Sequence, residues 1–135
     1  MLQPQSQIQQ QSQVQAHEKK QFAVSLARTE GEVREAQRLR YKVFAEEMGA
    51  LMPGKEERLD QDMYDAYCDH LLVRDADSNE VVGTYRILAP QQARDAGGYY
   101  SEGEFDLSRL GNLRDRMVEV GRSCVHPDYR SGGVI

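Results

Sequence analysis

No segment of this 135-residue chain approaches the ~18 consecutive apolar residues that a membrane span requires, which excludes a spanning helix and reads as a soluble protein. Tryptophan is absent, and two cysteines are too few for a disulfide framework. The N-terminus lacks the charged and apolar regions of a secretory signal, so a reducing cytoplasm is expected. Basic residues are in deficit: 17 Lys and Arg face 22 Asp and Glu, and the net charge of -5 argues against a general nucleic-acid binder. The first sixteen residues carry no charge and eight glutamines, with apolar residues too sparse to offset the entropy of ordering a backbone. Residues 1–20 are therefore expected to be a disordered tail, and residues 21–135 the folded part.

What is present is a mixed α/β pattern. The stretch "QFAVSLA" from Gln21 predicts a short strand. In "TEGEVREAQRLRYKVFAEEMG", Thr29 and Glu32 form a capping box, Val33, Ala36, Leu39, Val43 and Phe44 recur at helical spacing, and Gly49 supplies a stop. Pro53-Gly54 breaks that helix, and an ordered loop is expected through "EERLDQDMYDAYCD". "HLLVRDADSNEVVGTYRILAP" predicts a hairpin of strands Leu71–Arg74 and Val81–Leu88. A polar excursion with a short helix follows, then a last strand in "RMVEVGRSCV", where Gly121 marks a bulge or a close backbone approach.

Several clusters could carry chemistry. The last strand runs into "HPDYRSGG", where Arg130, Gly132 and Gly133 either form an ordinary turn or converge backbone N–H groups on an anion such as a phosphate. Asp60, Asp62 and Asp65 lie within six residues and could hold a cationic amine, bind a metal or solvate a loop; the calcium-loop pattern fails for want of its glycine and glutamate. Arg40 and Phe44 stand four apart on one helical face, where an arginine ordinarily snorkels outward. Glu119 and Arg122 are three apart on a strand and share a face only if a bulge at Gly121 shifts the register. An ion pair between Glu119 and Arg86 is the ordinary alternative. Cys68-Asp-His70 and Cys124-Val-His126 are spaced too closely for a structural zinc site, and both cysteines are expected to be small core residues.

In their order, "RYKVF", "DQDMYD", "VVGTYRIL" and "EVGRSCVHPDYRSGG" resemble the GNAT-type ornithine N-acyltransferases that make lyso-ornithine lipid, and their relatives the acyl-homoserine-lactone synthases. The resemblance runs from about Phe22 to Ile135. "CDHLLV" and "GRSCVHPDYR" favour the ornithine branch; the synthases usually carry a tryptophan after the helix and a glutamate where Asp60 stands. The resemblance implies the N-terminal part of a GNAT fold: a mixed, mainly antiparallel sheet with flanking helices, interrupted after its fourth strand and inside the glycine loop, so that this chain alone is expected to be an inactive fragment. It implies fatty acyl transfer, 3-hydroxylated by preference, from acyl carrier protein or acyl-coenzyme A to the α-amine of ornithine or a similar amino acid. No permanently bound cofactor and no metal are expected. Glu119, then Asp60, would take the proton; Arg40, Phe44, Asp62, Asp65, Arg86 and Arg122 would serve the acceptor; Gly121, Ser123, Arg130, Gly132 and Gly133 would serve the donor. A cytoplasmic location follows, with peripheral membrane contact left open. Lactone synthesis and a non-catalytic carrier-binding module are the alternatives.

Overall fold

The computed structural model describes residues 20–49, 57–131 and 134; the glutamine-rich tail to residue 19, Pro53-Gly54, Gly132, Gly133 and Ile135 lie outside the described residues. Strand β1 covers Phe22–Leu26. Helix α1, Glu30–Tyr41, starts where Thr29 Oγ1 accepts the Glu32 N–H at 3.1 Å, satisfying one of the donors that a helix start leaves open. Acidic Glu30 and Glu32 occupy its first turn and basic Arg38 and Arg40 its last, matching the helix dipole. Beyond Tyr41 the helix widens into a π-helical turn, Lys42–Glu47, and the Met48 N–H reaches back five residues to the Val43 carbonyl. Gly49, at φ +73°, ends it in a conformation that favours glycine.

Strands β2 (Asp69–Asp75) and β3 (Val81–Leu88) form the expected hairpin, whose turn is fixed by Asp75 Oδ1 accepting the Asp77 N–H at 2.8 Å. A short helix α2 (Pro90–Ala96) opens the polar excursion, which continues through single helical turns to β4 (Glu119–Val125). The sheet order is β1-β2-β3-β4, and every pairing among the described residues is antiparallel.

Helix α1 covers one face: Ala36, Leu39 and Val43 pack against Leu72, Val81 and Cys124. Each buried Leu or Val there contributes about 1.5–3 kcal/mol. A second cluster, Leu88, Ala93 and Tyr99 with Tyr64, Cys68 and Met117, ties the excursion to the end of β3, and the Tyr99 hydroxyl lies 2.8 Å from the Arg114 and Met117 carbonyls. On the opposite face the alternation leaves Val24 and Val120 more than half exposed, at 64% and 56%.

The bulge in β4 is displaced from its expected place. Gly121 pairs with Arg86 and Cys124 with Thr84, so Arg122 and Ser123 together face the one residue Tyr85. Arg122 carries the left-handed backbone, φ +51°, while Gly121 has no such angle and nothing within 4 Å of where a Cβ would stand. A non-glycine residue in that region costs roughly 1–2 kcal/mol, which the surrounding pairing holds in place.

Candidate active site

The three acids of the loop before β2 meet three arginines from three different elements. Arg40, only 1% exposed at the end of α1, donates from Nε to Asp60 Oδ2 (3.1 Å) and from Nη1 and Nη2 to Asp65 (2.9 and 2.8 Å). Arg86 on β3 donates from Nη1 to Asp62 (2.6 Å) and Asp65 (3.0 Å). Arg122 on β4 approaches Asp60 at 3.6 Å. The outward-snorkelling reading of Arg40 is thus corrected. A buried guanidinium needs carboxylates at hydrogen-bond distance, and the loop supplies them. The expected alternative pair between Arg86 and Glu119 does not form either, because Asp62 and Asp65 take the Arg86 guanidinium.

These contacts set the charges. Burial alone would push the Asp65 carboxyl up, but the hydrogen bonds and field of Arg40, with Gln37 and Arg86, hold it down at about 2. Burial likewise opposes the charge on Arg86, and Asp62 and Asp65 outweigh it and raise its pKa. The loop backbone is pinned as well: the Arg40 guanidinium reaches the Asp60 carbonyl, and His70 Nε2 lies 2.9 Å from the Asp65 carbonyl.

Beside this frame lies a cavity of about 410 Å³, lined by the π-helical turn, the loop before β2, the end of β3, the excursion and β4. Its apolar wall is Phe44, Tyr64 and Leu88; the π-helical turn presents Phe44 here, with the Arg122 guanidinium 5.6 Å from its ring centre. Tyr64 and Tyr100 meet edge to face, and Arg86 lies 5.7 and 5.3 Å from their ring centres. Glu119, Gly121, Arg122 and Ser123 bring β4 to the rim. The Glu119 carboxylate is oriented by the excursion: Oε1 accepts the Tyr100 N–H (2.8 Å), and Oε2 accepts the Ser101 N–H (2.9 Å) and hydroxyl. Arg122 Nε is buried without a partner among the described residues.

The structure therefore gathers Phe44, Arg86, Glu119, Gly121, Arg122 and Ser123 at one cavity, and sets Arg40, Asp60, Asp62 and Asp65 behind it. Arg130 folds back instead onto Glu47 and the Val125 carbonyl, and Gly132 and Gly133 lie outside the described residues. The cysteines have small-residue roles: Cys124 sits in the main core and Cys68 packs on the second cluster, and burial raises their thiols to about 12 and about 11. Both thiols stay protonated at neutral pH, so neither is a ready nucleophile. Their histidines are occupied elsewhere, His126 with Lys42 and the Asp128 N–H and His70 with Asp65. Tyr100, Ser101 and Glu104 were not legible as site residues. They belong to a polar segment with no periodicity, and only the contact with Glu119 brings it to the cavity.

An antiparallel sheet with a helix on one face, and a bulged fourth strand beside a mixed apolar and charged cavity, defines an N-acyltransferase type of α/β fold. Residues 39–135 match the acetyltransferase (GNAT) domain, and the chain belongs to that family. It is 42% identical over 121 residues to the L-ornithine N(alpha)-acyltransferase of Rhodobacter capsulatus, with 84% of this chain aligned to 47% of that protein. Identity is 45% over 117 residues with the protein of the same name from Brucella abortus, 80% of this chain to 42% of that one. With that of Agrobacterium fabrum it is 46% over 115 residues, 78% to 39%. The chain thus spans less than half the length of these curated relatives. Among solved structures, the AHL synthase LasI superposes with a TM-score of 0.52 at 17% identity, covering 83% of this chain and 57% of that one. TofI, in a ternary complex with an inhibitor and MTA, gives 0.50 at 24% identity, covering 78% and 56%. At such identities these two show the fold alone.

Proposed function

We propose that the full-length protein transfers a fatty acyl group, 3-hydroxylated by preference, from the thioester of acyl carrier protein to the α-amine of ornithine. The observation that carries this reading is the 42–46% identity to L-ornithine N(alpha)-acyltransferases, and the whole cavity lies within residues 39–135 that match the GNAT domain. The lactone-synthase reading has a shared fold in its favour and no more.

In this reading the acceptor's α-ammonium first loses a proton, because only the neutral amine has a lone pair to attack a thioester carbonyl. Glu119 is the proton acceptor. Its Oε1 takes a single protein N–H, which leaves a lone pair for the substrate at the cavity rim. The nitrogen then bonds to the carbonyl carbon and the carbonyl oxygen becomes an oxyanion; as the carbonyl re-forms the carbon–sulfur bond breaks, the second nitrogen proton leaves with the carrier as its thiol, and Glu119 returns the first to solvent. Backbone N–H groups of the β4 bulge, Gly121 to Ser123, would meet the oxyanion; such donors contribute up to ~3–4 kcal/mol in other acyl-transfer sites. Arg122, held on one side by Asp60 and lining the cavity, is the partner for the acceptor carboxylate. Asp60, enclosed between Arg40 and Arg122, braces that arginine instead of moving protons. Arg40, Asp62, Asp65 and Arg86 serve the acceptor only by positioning the walls around it. Arg130, Gly132 and Gly133 would serve the donor, the two glycines lying outside the described residues.

Among the described residues no helix is long and apolar enough to cross a membrane. A cytoplasmic enzyme touching the membrane surface only where its lipid product leaves fits this reading. The test is expression of the full-length gene in a host without ornithine lipids, followed by lipid extraction and mass spectrometry. N-acylated ornithine is expected, and Glu119→Gln should lower kcat about 100-fold or more with the fold intact. Carrier-protein use should weaken with rising salt. Accumulation of an acyl-homoserine lactone, or carrier binding without any turnover, would overturn the proposal.

A further inference from the structure

Of the two acids lining the cavity among the described residues, one has no partner. Asp65 is held by Arg40 and Arg86, and Asp62 by Arg86 through Oδ1, its Oδ2 being buried without a partner among the described residues. Glu119 is held by three donors from the turn Tyr100–Gly103, and Glu102 pairs with Arg114 at 2.5 Å. Glu104 also lines the cavity, and its carboxylate has no hydrogen-bond or ion-pair partner among the described residues. Its backbone is held, because the Glu104 N–H donates to the Ser101 carbonyl at 3.1 Å while the Ser101 N–H and hydroxyl hold Glu119; the Glu104 side chain itself is exposed. The turn Tyr100–Gly103 therefore brings Glu104 to the cavity that Glu119 and Arg122 of β4 also line.

A zwitterion with a second positive charge complements this set of groups: a carboxylate for Arg122, an α-amine for Glu119, and a further cation for Glu104. Resting on the proposed acyl transfer to an amino acid, we infer that Glu104 is the specificity-determining residue that reads the acceptor's side-chain ammonium and so selects cationic amino acids over apolar ones. Tyr64 and Tyr100 supply ring faces along which a short methylene chain can lie between the two carboxylates. Glu104 takes no part in bond making. Its effect falls on binding the side chain, and hence on KM.

The experiment compares ornithine with norvaline, which has the same carbon chain without the terminal amine, in the full-length protein and in its Glu104→Gln and Glu104→Lys variants. In the unaltered protein ornithine should be preferred. Glu104→Gln should raise KM for ornithine about tenfold, as expected for losing a hydrogen bond to a charged group, and leave kcat and the kinetics with norvaline unchanged. Glu104→Lys should reject ornithine further and still accept norvaline, showing that the fold is intact. If the unaltered protein acylates ornithine but Glu104→Gln changes ornithine and norvaline alike, or neither, the role of Glu104 is refuted and the acyl-transfer reading stands. If the unaltered protein acylates no amino acid, both fall.

Discussion

Replacing Arg40 with methionine removes a charge and four hydrogen bonds while keeping a long unbranched side chain in a site that is 1% exposed. Three arginines and three aspartates form the network, so the substitution leaves one uncompensated negative charge in the interior. Breaking a buried pair by deleting one partner costs roughly 3–5 kcal/mol. The lower end applies here, because Asp65 keeps Arg86 and Gln37, each at 3.0 Å, whereas Asp60 keeps only Arg122 at 3.6 Å. A loss of about 3 kcal/mol corresponds to a fall in melting temperature of roughly 6–12 °C at about 2–4 °C per kcal/mol. The assay is thermal and urea unfolding of the full-length protein with Arg40→Met, Asp60→Asn and both together. The double variant restores charge balance and should be more stable than Arg40→Met alone, the interaction energy being about 1 kcal/mol or more. An unchanged melting temperature in Arg40→Met, or a double variant losing the sum of the two single losses, would refute the charge-balance argument.

Gly121→Ala is expected to leave stability nearly unchanged, since no atom lies within 4 Å of the added methyl, and to lower acyl transfer by filling space on the cavity wall; steady-state kinetics beside a melting curve will show whether the two effects separate. Acid should weaken the fold through Asp65. Its carboxyl is depressed from 3.8 to about 2, so its contribution is complete above about pH 4 and is lost as pH falls toward 2. Asp65→Asn should flatten that part of the stability profile, and an equally steep acid limb in the variant would assign the loss to other groups. Finally, the 135-residue chain should self-associate through the sheet face that exposes Val24 and Val120; a monodisperse monomer by light scattering would contradict this.

The local signals were the most legible. Thr29 announced the start of α1, Gly49 its end, and the Asp/Ser/Asn turn the hairpin, because each depends on residues within a few positions of one another. The fate of Arg40 was not local. An arginine in an apolar stripe has two solutions, reaching for water or meeting buried acids, and the choice rests on a loop 20 to 25 residues further on. The acidic trio was the matching half of that signal, visible but unassigned. The bulge was expected at the glycine and formed one residue later, since pairing across β3 settles where the extra residue goes and Arg122 tolerates the left-handed angle. The helix period also misled in one respect. Phe44 follows Arg40 by four positions, yet the π-helical widening turns it to the cavity while Arg40 stays with the acids.

That division between the ionic cluster and the rim has a consequence for how such a site can change. Arg40, Asp60 and Asp65 hold one another away from the cavity lining, and of the cluster only Arg86 and Arg122 also line the cavity. In the proposed reading the group that selects the acceptor side chain is Glu104, directly after the turn Tyr100–Gly103, which is tethered to the sheet through the Glu119 carboxylate. Chassis and adaptor are thus separate parts. A protein built this way can be retuned for a new acceptor by exchanging a handful of residues between α2 and β4, with its folding left to the cluster behind them.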